Sequence, residues 1–307
     1  MRKYYKCDGG FKAAASAEEA VWIDITDPDS SDRTYLTDEE GVPEMFLEYL
    51  SDKDERPRVE RDGQWMMTIL RIPVECRAGD MPYATVPIGV ISKDSHRVIT
   101  LCCHPSELTA DFASHTKQKC IEVGDVAEFT LRIFYSTAYR YLSNLRTMTS
   151  DVTGAEKDLE KSIQNSDLIW LMRLQKSLVF FNTSIKGDMM VLDRIQKIFG
   201  NRLDADLVED VDIEFRQADS TVAIYSDILE GTLNSYASII SNNVNSVMKR
   251  MSGLSIMLMV PTFVASLYGM NVDILLGGVR YAFWIIIAIA AILTAVAFII
   301  LRRLRWV

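Results

Sequence analysis

Two apolar segments near the C-terminal end constrain this chain more than any other feature. Tyr281 to Leu301 is a run of 21 residues without a charge. At about 1.5 Å per residue, a helix of that length spans a hydrocarbon core of roughly 30 Å. Met251 to Leu267 is only slightly shorter and also uncharged. It runs into Tyr268, Gly269, Met270 and Asn271, and a loop of nine residues separates this polar exit from the second segment. Lys249 and Arg250 precede the first segment, and Arg302, Arg303 and Arg305 follow the second. Positive charge at both outer ends of a two-span hairpin places both termini in the cytoplasm. The expectation is a multi-pass protein of the cell (inner) membrane, in contact with the lipid bilayer.

The 307 residues leave room for a sizeable domain besides the spans. The net charge is −9, but Lys249 to Val307 holds six basic residues and one acidic one, so Met1 to Met248 carries −14. Such a domain repels nucleic acid and gathers cations at its surface, although plain solubility explains most acidic domains. Cys7, Cys76, Cys102, Cys103 and Cys120 follow no disulfide spacing and read as reduced thiols. Cys102, Cys103 and His104 raise a zinc reading, but no second ligand pair accompanies them and a buried strand end accounts for them better. Met1 to Phe11 lacks the apolar core of a secretory signal, so the first span is expected to direct insertion.

Short runs rich in Val, Ile, Thr and aromatics at Glu19 to Ile25, Trp65 to Val74, Thr85 to Ile91 and Arg97 to Cys103 predict strands. Between the first two, Thr37 to Leu50 reads as a helix capped by Thr37. From about Val126 helical periodicity takes over, with Phe129, Ile133, Ala138, Tyr141 and Leu145 on one face, then a second pattern from Leu159 to Ile198. After Gly200, apolar residues recur three or four apart at Val211, Phe215, Ala218, Val222, Tyr225, Leu229, Leu233, Tyr236, Ile240, Val244 and Val247. A single helix from about Asp204 to Tyr268 would be on the order of 100 Å long, too long for one compact domain. It reads as a stalk entering the membrane.

The expected organisation is an α+β cytoplasmic domain, a very long stalk helix and two C-terminal transmembrane helices. Its parts are an α/β domain at 1–120, a helical region at 121–203 and a stalk at 204–271 containing the first span at about 251–268. An outer loop at 272–280, a second span at 281–301 and a basic cytoplasmic tail at 302–307 complete it.

Carrying the stalk's spacing into the first span gives Asn245, Met248, Ser252, Ser255, Met259, Thr262 and Ser266, in two interleaved series seven apart. All are polar, small or methionine, while Leu254, Met257, Leu258, Val260, Phe263, Val264 and Leu267 are bulky and apolar. Two readings fit: the hydroxyls pack helices or bond their own backbone, or the stripe lines a water-filled pore. A pore needs several copies of the helix, hence a cyclic homo-oligomer. Pro261 frees a carbonyl near Met257, which serves a packing kink or a water site. Asn271 at a helix end is a plain C-cap or, in a ring, a set of neutral acceptors for a cation that keeps its hydration shell.

Tyr268, Gly269, Met270 and Asn271 closing the first of two C-terminal spans, with Asn245, Ser246, Val247, Met248 and Lys249 upstream and Pro261 within, resemble the signature of the CorA family of divalent-cation transporters. The resemblance favours the pore. It implies a funnel-shaped homopentamer with first spans inside, a filter at Tyr268 to Asn271 that binds the ion through its hydration water, and a turn allowed by Gly269. It also implies a gate at Met248, Met251 and Met259, where thioether rings could dewet the pore. The transported ion would be Mg²⁺, with Co²⁺ or Ni²⁺ as alternatives. Regulation would use Mg²⁺ bound between subunits, with Asp210 taking part in the acidic run from Asp204 to Glu214. A second regulatory position, often Asp in relatives, is Asn234, and the loop after Asn271 lacks the usual Met-Pro-Glu. These departures leave a zinc transporter of the ZntB type, or a non-transporting membrane-anchored sensor, as alternatives. No phosphate-binding Gly-x-x-x-x-Gly-Lys-Ser/Thr loop occurs, so the membrane potential is the expected driving force, without enzyme activity or a resident cofactor.

Overall fold

The computed structural model describes residues 2–76, 81–93, 97–161, 165–270, 280–304 and 306, with only the backbone of 155–161. It contains two compact units, Met1–Gly231 and Thr232–Val307.

The first unit is built on a seven-stranded sheet. Its strands are β1 (Arg2–Cys7), β2 (Phe11–Ala13), β3 (Trp22–Thr26), β4 (Arg58–Asp62), β5 (Trp65–Glu75), β6 (Tyr83–Ser92) and β7 (Val98–Cys102). They lie in the order β2-β1-β3-β7-β6-β5-β4, and only β3 and β7 run parallel. Every residue of β6 and β7 is buried. Apolar runs such as Ile-Gly-Val-Ile are read from both faces, as expected of strands covered by helices on each side.

One layer consists of α1 (Ser30–Thr34), a π turn (Tyr35–Glu39) and α2 (Glu44–Ser51). Leu36, Phe46 and Leu50 from this layer join Ile23, Ile25, Met67, Ile69, Ile99 and Leu101 in a core cluster. The expected helix from Thr37 to Leu50 is therefore two pieces. Gly41 takes a φ of +73° and Pro43 follows at the start of α2, so the chain turns where the pattern suggested continuity. The cap is Asp29, which forms a capping box with Asp32, while Thr37 donates its hydroxyl to the Arg33 carbonyl.

The other layer is α3 (Leu108–Lys119), α4 (Val126–Lys161) and α5 (Asn165–Phe199). Leu159, read as opening the second helical pattern, lies inside α4. Trp22, Phe11, Phe112 and Phe129 form an aromatic cluster beneath α3 and α4, with ring centroids 4.8 to 5.7 Å apart.

A particular docking joins α4 and α5 to β5. Strand β4 begins at Arg58, opposite Ile69, so β5 has no strand neighbour on that side beyond Ile69. Helical side chains take up the polar groups of Arg71 instead. Its N–H donates to Asp188 Oδ1 at 2.9 Å, and its carbonyl accepts the Tyr141 hydroxyl at 2.8 Å. The Arg71 side chain donates to Thr85 and to the carbonyls of Lys53 and Glu55. Burial pushes the Asp188 carboxyl well above the usual carboxylate range, although the Arg71 N–H and charge pull the other way. Cys102 is buried at the end of β7, donates to carbonyl oxygens of Pro87 and His104, and is pushed up to about 12 by burial.

The remaining helices are α6 (Ala205–Tyr268, 64 residues) and α7 (Ala282–Arg303, 22 residues). In the first unit, Val211, Phe215, Ala218, Val222 and Leu229 of α6 are buried, and Phe215 meets Phe134 edge-on at 6.0 Å.

Candidate ion pathway

The apolar part of α6 and the whole of α7 are each long and apolar enough to cross a membrane, with mean hydropathies of 1.6 and 3.0. Only 11% and 6% of these apolar windows is buried. Neither is a core helix of a soluble fold, so their exposed side chains require lipid or further protein.

How α6 faces α7 decides what its polar stripe can do. An apolar groove of about 800 Å³ lies between them, lined on α6 by Met257, Pro261 and Ala265 and on α7 by residues including Ala290, Ala291 and Thr294. At 100° per residue, Asn245, Met248, Ser252, Ser255, Met259, Thr262 and Ser266 stand between about 100° and 180° around the helix from Pro261. The stripe thus points away from the second span. All its members are exposed except Ser252, which is half-buried. Packing the hydroxyls against α7 is excluded by this arrangement.

The hydroxyls do bond their own backbone. Thr262 Oγ1 donates to the Leu258 carbonyl at 2.7 Å, and Ser255 Oγ to that of Met251 at 3.0 Å. Each proton is thereby used within the helix, which leaves oxygen lone pairs directed outward as acceptors. Acceptors are what a hydrated cation needs, because its first-shell waters present hydrogens.

Three expectations change in detail. Met251 is exposed but stands about 80° from Pro261, at the margin of the stripe that holds Met248 and Met259. Phe263, grouped with the bulky face, is exposed about 160° from Pro261, beside Ser252. Pro261 lies in the groove, so the carbonyl it frees belongs to the packing side and not to the stripe. Small residues Gly253, Pro261 and Ala265, matched by alanines on α7, were the signal that could have shown this face.

At the end of the span Tyr268 is half-buried and Met270 exposed. Gly269 still donates its N–H to the Ala265 carbonyl at 3.0 Å and is not among the glycines with positive φ. Helix α6 ends at Tyr268 and the chain turns at Gly269, whose N–H also reaches the Ser266 carbonyl at 3.2 Å. Asn271 and residues 272–279 of the outer loop lie outside the described residues.

Asp210 is exposed on α6 and lines a cleft with Tyr135, Tyr139, Arg132 and Arg140 of α4. Arg140 is already paired with Asp111 and Glu107. The Tyr135 hydroxyl is raised by burial first, then by the carboxylates of Glu214 and Asp210. Among the described residues, no cluster of three or more His, Cys, Asp and Glu side chains could hold a metal ion. Within one chain Asp210 thus has basic and aromatic neighbours, which come from a distant part of the sequence. Asn234 is exposed on the same helix.

Fold and site together give a mixed α/β unit, a 64-residue helix whose apolar part bears a polar stripe turned from α7, and two helices long and apolar enough to cross a membrane. A family model described as the CorA-like Mg²⁺ transporter protein matches residues 17–303. The chain belongs to this family of divalent-cation transporters. It is 22% identical over 296 residues to the cobalt/magnesium transport protein CorA of Methanocaldococcus jannaschii, covering 94% of this chain and 91% of that protein. The complete structure of the CorA magnesium transporter from the same organism superposes with a TM-score of 0.83 at 20% identity, over 100% of this chain and 99% of that one. The ZntB cytoplasmic domain from Vibrio parahaemolyticus gives a TM-score of 0.54 at 15% identity, over 79% and 97%.

Proposed function

We propose that the chain is one subunit of a homopentameric cell-membrane channel that carries Mg²⁺ into the cell, with both termini cytoplasmic. The observation that carries this reading is the stripe of outward acceptors on the first span, on the side away from α7. Asn245, Met248, Ser252, Ser255, Met259, Thr262 and Ser266 line the pore. Tyr268, Gly269, Met270 and Asn271 form the filter, where a ring of Asn271 amide oxygens holds Mg²⁺ through its hydration shell. Mg²⁺ dehydrates reluctantly, and neutral acceptors bind weakly enough to release it. Met248 and Met259, with Met251 at their margin, form the gate. Transport, not chemical conversion, is the activity, and Mg²⁺ is cargo and not a resident cofactor. A divalent ion moving inward gains about 4.6 kcal/mol per 100 mV.

Self-association has its own support. The apolar series on α6 is buried as far as Leu229 except for the half-buried Tyr225, but Val244 and Val247 further along are 58% and 57% exposed. An apolar series left uncovered in one chain suits packing against copies of itself. Asp210 contributes to a Mg²⁺ site between subunits that favours closure, and Asn234 supplies a weaker ligand there than Asp would. The names of the relatives support Mg²⁺ and Co²⁺ as cargo. Zinc is the second reading, favoured by the departure of the outer loop from the family's Met-Pro-Glu.

Cysteine accessibility tests the pore face. In a background without the five native cysteines, single cysteines at Ser255 and Thr262 should react with charged aqueous thiol reagents, and cysteines at Met257 and Ala265 should not. Equal labelling of the two pairs contradicts the reading.

A further inference from the structure

A second cleft, on the α/β unit, has no part in ion passage. It holds about 250 Å³ between the β4–β5 hairpin, the end of β6 and the short turn after α5. Arg61, Lys93 and Arg202 line it from these three elements, and none of its described lining residues is acidic. In a region whose net charge is −14, three cations facing one small cleft, with Asp125 pairing only Arg202 among the described residues, call for a cause.

The cleft is held by the fold. Asp62 pairs with Trp65 across the hairpin, which leaves Gly63 and Gln64 as a two-residue loop, with Gly63 at a φ of +56°. Arg61 pairs with Met66 and Asp62 with Trp65, so Arg61 and Trp65 leave opposite faces of the ladder and the cleft wraps the end of the hairpin. Lys93 stands 5.6 Å from the centre of the Trp65 ring. The Arg202 guanidinium lies 5.6 Å from the Phe199 ring and donates one N–H to Asp125 at 2.8 Å. Its remaining donors are free to serve the cleft. Among the described residues, Arg61 and Lys93 form no ion pair.

We infer that this cleft binds the phosphate group of a small cytoplasmic anion. Two guanidinium forks match the oxygens of a phosphate, Lys93 adds a point charge, and Trp65 closes one side. The volume lies below the roughly 300–1,000 Å³ of sites that bury a drug-sized ligand. It therefore encloses the phosphate alone and leaves the rest of a larger metabolite in solvent. Free phosphate and a nucleotide's terminal phosphate share this chemistry.

Full-length protein in detergent, titrated with inorganic phosphate or with ATP at constant ionic strength, distinguishes them. Tryptophan emission reports occupancy through Trp65, with Trp65→Phe as the control, and calorimetry on the same samples covers a silent fluorophore. Phosphate, ATP or both should bind saturably. Arg61→Ala should weaken binding about tenfold and Arg61→Ala with Lys93→Ala about a hundredfold. Both side chains are exposed, so these variants should keep the wild-type Tm, and Arg61→Lys should recover part of the loss. Saturation by phosphate identifies the free ion as sufficient, and saturation by ATP alone identifies a nucleotide. The inference is overturned if neither probe binds, if chloride gives the same change, or if the double variant binds as tightly as wild type.

Discussion

Replacing Asp188 with Asn should make the protein more stable at alkaline pH, contrary to the usual result of removing a buried charge partner. Asp188 is fully buried between α5 and β5. Its Oδ1 accepts the Arg71 N–H, and its Oδ2 has no hydrogen-bond partner among the described residues. Burial is the largest influence on its carboxyl and raises it well above the ordinary value near 3.9. A carboxyl raised on folding holds its proton in the native state after the unfolded chain has lost it. The stabilisation is therefore complete below the unfolded value and is lost as pH rises toward the folded one. Within that window the loss is about 1.4 kcal/mol per pH unit. For a domain of this size that corresponds to about 3–5 °C in Tm per unit. Asn keeps an acceptor for the Arg71 N–H and does not titrate. The assay is thermal unfolding of full-length protein in detergent from pH 4 to pH 9, and the difference between the two profiles isolates Asp188 from all other groups. The variant's Tm should gain on wild type as pH rises and then level off. Parallel profiles, or a constant deficit in the variant, would show that Asp188 is ionised and paired with Arg71, and the reasoning would fail.

Tyr141→Phe removes the donor to the Arg71 carbonyl and strands a buried acceptor, so denaturant unfolding should show a loss of about 1–3 kcal/mol. Gly89→Ala places a Cβ 2.5 Å from Leu50 Cδ1, and the overpacking between β6 and α2 should cost about 1–3 kcal/mol in the same measurement. Flux measured against cytoplasmic Mg²⁺ should show closure at lower concentration for Asn234→Asp and at higher concentration for Asp210→Ala, because a hard cation depends on charged oxygen ligands. Superimposable closure curves would remove both positions from sensing.

The parts of the fold legible in the sequence are those where one physical signal acts alone. Strands β5, β6 and β7 announce themselves by apolar runs between turn residues, and α6 by a periodicity without a Pro before Pro261. Strand β1 was hidden because Arg2, Lys3 and Lys6 interrupt its aromatic pattern, and β4 because only Val59 of its five residues is buried. Helix α3 has a weak apolar pattern, with threonines at two of its buried positions, Thr109 and Thr116. In the candidate pathway, the composition of the stripe is local and could be read directly. Its direction was not, since Pro261, Met251 and Phe263 take their meaning from where α7 lies. The arginines and tyrosines around Asp210 come from α4, and only tertiary packing brings them there.

Ion flux through Asn271→Ala addresses the central claim most directly. Wild type and variant, purified as oligomers and placed in liposomes with a Mg²⁺ indicator inside, are compared under an imposed inside-negative potential, with Zn²⁺, Co²⁺ and Ni²⁺ tested in parallel. The account predicts potential-driven Mg²⁺ entry in wild type, and loss or strong reduction of entry in the variant at equal incorporation and unchanged oligomer size. Equal Mg²⁺ entry in both would contradict the filter, and no entry of any divalent ion in wild type would contradict transport itself.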